Sequence, residues 1–312
     1  MSTGRMGLLA VDPGFFTTVQ DLGRPGAREF GVPLGGACDR ESLAVANALA
    51  GNSADCAALE LTLRGGLFEA RCDLGIALAG AAMAATIVGE DGRRSIAVPS
   101  SAWLREGGRI ELGRAGRGAR TYLATPGGFQ TDSWLGSRSA ERPVRAGDVL
   151  PAGPSRLAAR RPADVGAAEA VAELRVLPGP DWALLDDPDA WMHASFRIGV
   201  QSNRMGMRLE GGPVAVVPTP ERLSAAVTPG AIQAAGGRLI VLGVACGTMG
   251  GYPHVAQVVS ADLDRLGRLR PGDAVGFRAV SLADARRLDR EAREALHART
   301  LRIAAAARDG PS

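Results

Sequence analysis

Hydrophobic and polar positions change rhythm along this chain, and each change marks an element. Residues 8–11 form a short apolar run closed by Asp12-Pro13-Gly14, the pattern of a first strand. Across 17–52 no single period holds. Glycines at 23, 26, 31, 35, 36 and 51 and prolines at 25 and 33 interrupt Val19, Leu22, Phe30, Val32 and Leu34. Glycine lets a backbone turn or approach other groups closely, and proline fixes φ and lacks an N–H. Such a stretch is expected to be a shaped loop displaying Gln20, Asp21, Arg24 and Asp39, and its interleaved apolar residues set it apart from a solvated linker. Its last part reads as a helix with Asp39 as N-cap and Gly51 just past the end. Leu43, Ala46, Asn47 and Ala50 share one face of it. Asn47 there is either a core amide paired with nearby backbone, the commoner case, or a site residue.

From residue 57 the period becomes two. Leu59, Leu61 and Leu63 alternate with Glu60 and Thr62, and short runs follow at 76–79, 85–88, 95–98, 109–112 and 120–124. Arg64-Gly65-Gly66, Glu90-Asp91-Gly92 and Glu106-Gly107-Gly108 read as the turns between them. Short strands with regular turns and no helical pattern between them predict a mainly β protein with two β-barrel-like domains, a few short helices and a C-terminal helix. Residues 151–170, rich in Pro, Ala, Gly and Arg without a period, read as a linker. The expected domains are 7–150 and 171–280, with helix and tail at 281–312. In the second half, strands are expected at 174–177, 195–200, 214–217, 231–233 and 239–244. Arg270-Pro271-Gly272-Asp273 echoes Arg145-Ala146-Gly147-Asp148, each a turn into a strand. Ser281 with Asp284 forms a capping box that opens an Arg-rich helix to about 298. That helix either docks on a partner or lies solvated at the end of the chain.

Composition narrows the function. Aromatic residues are only 4% of the 312, so aliphatic side chains are expected to fill the core. The net charge of +3, with the charges interspersed, argues for neither nucleic acid nor a membrane surface. All 36 basic residues are arginine. Without lysine the chain offers no Schiff base, no G-x-x-x-x-G-K-[ST] phosphate loop and no attachment point for biotin. The four cysteines show no C-x-x-C spacing and the three histidines no ligand spacing, so no metal is expected. With no signal-like start and no membrane-length apolar run, a cytoplasmic protein is expected. No G-x-S-x-G or G-x-G-x-x-G motif is present.

What remains is a set of Gly-framed polar loops suited to a small polar amide or carboxylate. Arg24, Arg138 and Arg204 are candidate anion forks, and Asp21 and Asp39 candidate general bases or their partners. The other candidate contacts are Gln20, Ser137, Thr248, Gly250, Gly251 and Tyr252.

These loops carry a resemblance. T-T-V-Q-D-L-G-R-P-G (17–26), G-V-P-x-G-G-A-x-D (31–39), A-N-x-L-x-G-N (46–52), L-G-S-R-S (135–139), S-x-R-M-G-x-R-L-x-G (202–211), P-G-A-I-Q (229–233), G-G-Y-P (250–253), A-D-L (261–263) and P-G-D (271–273) occur in order. Together they resemble the biotin-dependent carboxyltransferase family, which includes the 5-oxoprolinase C-subunit, the KipI antagonist and a half of the urea amidolyase carboxyltransferase domain. The resemblance implies cyclophilin-like β-barrels and, as partner, a KipI-like B-subunit. For 5-oxoprolinase it implies ATP-dependent opening of 5-oxoproline to L-glutamate with a LamB/YcsF-like A-subunit. For a carboxyltransferase it implies a carboxybiotin carried elsewhere, and for a KipI antagonist a regulatory, non-catalytic role. The sequence departs from the family pattern at Ala245-Cys246-Gly247-Thr248, where D-x-Q-T is usual. It departs again at Ala225, at Asn203, at Ala140 and at Arg268, and a Gly-rich insert is replaced by residues 141–145.

Overall fold

Alternation of buried and solvent-facing side chains builds a mainly β protein, seen in a computed structural model that describes residues 6–162, 173–212, 215–217 and 223–308. The chain divides into two units. One comprises Met1–Gly23, Asp39–Ala170 and Leu296–Ser312, and the other Arg24–Cys38 and Val171–Ala295. Part of the Gly-rich stretch, Arg24–Cys38, therefore belongs with the second half of the chain.

The first unit holds β1 (Gly7–Asp12), β2 (Phe16–Gln20), helix α1 (Arg40–Leu49), β3 (Ala58–Thr62), β4 (Arg64–Ala70), β5 (Leu74–Gly80), β6 (Met83–Gly89), β7 (Gly92–Ile96), β8 (Ser100–Leu104), β9 (Arg109–Ala115), β10 (Arg120–Ala124) and β11 (Val149–Pro151). They form two sheets, β11-β1-β4-β9-β6-β7 and β2-β3-β10-β5-β8. Leu8, Phe68 and Ile110 from one sheet meet Leu59, Leu61, Ile76 and Leu78 from the other in a single core. α1 packs on β5 and β10 of the second sheet, so the far face of that sheet is also covered.

Two expectations change here. The start of the 17–52 stretch is strand β2, paired along its length with β3. Arg64-Gly65-Gly66 is no turn but the start of β4, and the chain passes from one sheet to the other at Leu63, whose φ is +61°. Gly66 is required where it stands. Its φ is +144°, and a Cβ there would run into the carbonyl oxygen of Asp12.

Asp39 caps α1 as expected, accepting from Ser42 N at 3.1 Å and Ser42 Oγ at 2.6 Å. Asn47 is fully buried. Its amide donates to Cys56 O at 2.8 Å and accepts from Asn52 Nδ2 at 3.0 Å, which is the structural alternative. The expected linker does not run free over its described part. Ser101 pairs with Arg160, Leu157 covers Gly75, and Arg156 stacks 4.6 Å from the Trp103 ring centroid. This strap shields the outer edge of β8, which would otherwise leave unpaired backbone groups exposed. The rest, 163–170, lies outside the described residues.

The second unit holds β12 (Glu173–Pro178), helix α2 (Pro188–His193), β13 (Phe196–Ile198), β14 (Gly206–Glu210), β15 (Ala225–Ala226), β16 (Ala231–Ala235), β17 (Arg238–Leu242), β18 (Met249–Gly250), β19 (His254–Val258), helix α3 (Leu263–Leu266) and β20 (Ala274–Ala279). Seven strands close a barrel in the order β12-β19-β16-β17-β14-β13-β20, and the parallel pair β12 and β20 completes it. β15 and β18 form a separate two-stranded ribbon.

The core of this unit is not purely aliphatic. Trp191 stacks on Phe277 at 4.9 Å between centroids and meets Trp182 edge-on at 5.5 Å. The strand expected at 214–217 is reduced to a single bridge from Val216 to Leu185, with 214 outside the described residues.

The last helix, α4 (Leu282–Arg308), runs ten residues beyond its expected end at 298. Its capping box is present, with Asp284 N donating to Ser281 Oγ at 3.0 Å. No helix among the described residues is long and apolar enough to cross a membrane.

The two R-x-G-D turns are the same device. Asp148 Oδ2 accepts from Arg145 N and Asp273 Oδ2 from Arg270 N, each at 2.9 Å, around Gly147 at φ +91° and Gly272 at φ +90°.

Candidate functional site

In the first unit Gln20, the last residue of β2, and Asp21 after it are buried and bond to the 137–140 segment. Asp21 receives Ser137 Oγ at 2.6 Å, Arg138 N at 2.6 Å and Gly23 N at 2.8 Å. Gln20, with no exposed surface, donates to Ala140 O at 2.8 Å and Thr18 Oγ1 at 2.9 Å and accepts from Ser139 Oγ at 2.5 Å. A carboxylate and an amide so committed stitch two loops together. The Arg138 side chain folds back, donating to Thr131 O and, at 2.8 Å, to Gln130 Oε1. The stitched loop lifts Trp134 and Leu135 into solvent at its tip.

Beside the Asp39 cap lies a buried group that sequence reasoning missed. Tyr122 Oη accepts from Asp39 N at 2.9 Å and donates to Glu60 Oε2 at 2.6 Å, and Arg120 Nε lies 3.5 Å from Glu60. Glu60 stands in the polar register of an alternating strand, which predicts solvent. The covering helix, unreadable from that strand, buries it instead.

In the second unit Arg204 is also buried. It donates to Gly36 O at 2.7 Å and Cys38 Sγ at 3.2 Å, and its own carbonyl accepts from Ala245 N at 3.1 Å. Gly35 N donates to Val244 O at 2.9 Å. Arg204 therefore clamps Arg24–Cys38 onto the segment before Cys246.

Arg24 lies at the start of that loop, half-buried, its N–H donating to Leu34 O at 2.8 Å. Arg28, not among the expected forks, reaches from the Ala27–Phe30 turn to Val227 O and, at 3.1 Å, to Gly247 O. The only sequence signal for it is its place inside the R-P-G-A-R-E-F-G run.

Thr248, Gly250, Gly251 and Tyr252 follow on one ribbon. Thr248 O accepts from Val227 N at 3.0 Å, and Gln233 Nε2 donates to Tyr252 O at 3.3 Å. A Cβ at Gly250 would press on the Gln233 amide, which would have to shift away from Tyr252 O. Gly251 and Tyr252 are exposed.

Burial pushes the Cys246 thiol up, only partly offset by the Arg28 guanidinium beside it, so it stays a neutral thiol. Among the described residues no cluster of His, Cys, Asp and Glu could hold a metal ion.

Burial also holds His254 below its ordinary value of 6.5, against the opposing pull of its backbone contact at Ala256, of Asp181 and of Gln257. Its Nε2 is shut from solvent without a partner among the described residues. The unfolded chain takes up this proton more readily than the folded one, so stability holds above pH 6.5 and falls as the pH drops below it. Melting of wild type and His254→Gln between pH 8 and 5 checks this. The wild type is expected to lose more than the variant below pH 6.5, and parallel curves would disprove it.

The carboxyltransferase domain, subdomain A and B, matches residues 30–279. The chain belongs to this family. Among curated relatives, it is 34% identical to the 5-oxoprolinase C-subunit of Escherichia coli over 89% of this chain and 93% of that one. It is 27% identical to urea amidolyase of Lachancea kluyveri over 88% of this chain but 17% of that protein. Among solved structures, TTHA0988 superposes with a TM-score of 0.77 at 33% identity, over 88% of this chain and 56% of that one. The Kluyveromyces lactis urea carboxylase shares the fold, with a TM-score of 0.84 over 95% of this chain and 29% of that one, at 24% identity. As a carboxyltransferase-domain protein with C-subunit relatives, the chain is similar to one component of a multi-subunit enzyme.

Proposed function

We propose that this chain is the C-subunit of a 5-oxoprolinase, acting in the cytoplasm with a KipI-like B-subunit and a LamB/YcsF-like A-subunit. The assembly would open 5-oxoproline to L-glutamate with ATP hydrolysis. One observation carries the reading: the similarity runs through 93% of the Escherichia coli C-subunit, whereas the urea amidolyase match is confined to 17% of a much longer chain.

Opening a cyclic amide builds negative charge on its carbonyl oxygen, and cations or backbone N–H groups favour that charge. Arg24, Thr248, Gly250, Gly251 and Tyr252 are the candidate substrate contacts. Arg204 holds the loop that carries Arg24, while Gln20, Asp21, Asp39 and Ser137 hold loops of the first unit. ATP serves the assembly as co-substrate, and without lysine any nucleotide contact here would be of another kind than the G-K-[ST] loop.

Co-expression with candidate A- and B-subunits is expected to give a stable complex whose ATP hydrolysis depends on 5-oxoproline and disappears when this chain is left out. A second reading, a KipI-antagonist-type binding protein, is favoured by Ala225, Ala245 and Gly247, which supply no carboxylate or amide side chain where the family pattern has one. A tight complex without turnover would replace the first reading by the second. Discharge of carboxybiotin by this chain would favour a urea-type carboxyltransferase instead.

A further inference from the structure

Several arginines of this protein are held by carboxylates. Arg64 meets Asp12 at 2.8 Å, Arg175 meets Asp262 at 2.5 Å and Arg278 meets Glu173 at 2.8 Å. Arg28 is different. Among the described residues its oxygen acceptors are two backbone carbonyls, Val227 O and Gly247 O, both reached by Nη2. Nη1 is shut from solvent and meets no oxygen acceptor among those residues, only the weakly accepting Cys246 sulfur beside the guanidinium. A charged N–H group left so costs free energy, and such a group calls for a partner. That thiol is neutral and cannot balance the charge.

Ala245 and Gly247 flank Cys246 with no polar side chain, and a Cβ at Gly247 would meet nothing closer than Met249 O at 3.7 Å. Arg28 itself is only half-buried, and Phe30, Gly247 and Met249 are exposed, so a rotamer change that releases Val227 O and Gly247 O would present the whole guanidinium to a ligand. Thr248, Gly250 and Gly251 follow directly on the ribbon that Arg28 holds.

We propose that Arg28 recognises the carboxylate of the substrate, making this a site for cyclic amides that bear a carboxylate. The guanidinium fork matches a carboxylate in two parallel hydrogen bonds, which a neutral lactam cannot supply. This rests on the 5-oxoprolinase reading and names the group by which the substrate is selected.

The test compares 5-oxoproline with 2-pyrrolidinone, the same ring without the carboxylate, in the reconstituted assembly. For Arg28→Ala, selectivity for 5-oxoproline over 2-pyrrolidinone in kcat/KM is expected to fall roughly tenfold to a hundredfold, through KM. Arg28→Lys, which keeps the charge but not the fork, is expected to recover part of it. Calorimetric titration of each assembly with 5-oxoproline in the absence of ATP should show the same order of affinities. An equal loss on both lactams would make Arg28 a loop clamp and overturn the proposal, as would an unchanged KM for 5-oxoproline. A wild-type assembly that neither binds nor turns over 5-oxoproline would refute the functional reading itself, and the assignment of Arg28 with it.

Discussion

Asp262→Ala is expected to destabilise the barrel unit by about 3 kcal/mol, because it removes the buried counter-charge of Arg175, whose guanidinium is itself only partly open to solvent. Asp262 has no exposed surface. One oxygen accepts from Arg175 N at 2.7 Å and Arg175 Nε at 2.9 Å, and the other from Arg175 Nη2 at 2.5 Å and Arg265 Nη1 at 3.2 Å. Burial alone would raise this carboxyl. The hydrogen bonds from Arg175, helped by the charges of Arg265 and Arg175, take it below the ordinary 3.8. Its contribution is therefore present above that value and is lost as the pH falls through the folded value.

The position explains the size of the effect. Arg175 lies on β12, whose parallel pairing with β20 completes the barrel, and Asp262 pins the turn after β19 to that strand. Thermal melting should show the second unit unfolding roughly 10 °C or more earlier. An apolar pair, Arg175→Met with Asp262→Leu, should recover much of the loss, since isosteric apolar replacement of a buried ion pair is often nearly neutral. A melting point within about 2 °C of wild type for Asp262→Ala would rule the account out.

Asp21→Ala is expected to release the 137–140 segment from β2 and to remove turnover in the assembly. Three donors lose their acceptor together: Ser137 Oγ, Arg138 N and Gly23 N. Each hydrogen bond to a charged group contributes about 1.5–3 kcal/mol, and since the three share one carboxylate the combined loss is on the order of 3 kcal/mol. Asp21→Asn separates shape from charge. Its amide turns one acceptor into a donor, which then faces either the Arg138 N–H or the Ser137 and Gly23 donors. The asparagine is therefore expected to retain less than half of the stabilisation. Limited proteolysis around 130–139, followed with 5-oxoproline-dependent ATP hydrolysis, reads both effects. Unchanged protection in Asp21→Ala would show that the stitch does not hold the loop.

These two cases show how different parts of the molecule were legible. The A-D-L and V-Q-D-L motifs stand out in the chain, but their function is in partners far along it: Asp262 meets Arg175 across 87 residues and Asp21 meets Ser137 across 116. Local signals read well where the bonds are local. The Asp39 cap, the Ser281 capping box and the paired R-x-G-D turns each close within three residues, and each is present. Long-range bonding was less legible. Gln20, Asp21, Asp39 and Arg204 are buried, while Arg28 and the Glu60–Tyr122 pair carry no local motif that marks them.

By itself the sequence determined the class of fold, the local punctuation and the family. Period-two patterning, turn residues and ordered motifs are properties of neighbouring residues, and they survive in one dimension. It also excluded lysine chemistry outright. Only the tertiary structure decided which polar groups are consumed in holding loops and which keep unused donors. That depends on burial by segments remote in the chain, as when α1 covers the sheet that carries Glu60 and when Arg24–Cys38 joins the second unit. The stretch read as one polar loop is thus two things. Its first part is a strand whose side chains face inward, and its second is a loop whose Arg28 has a hydrogen-bonding group left for a ligand.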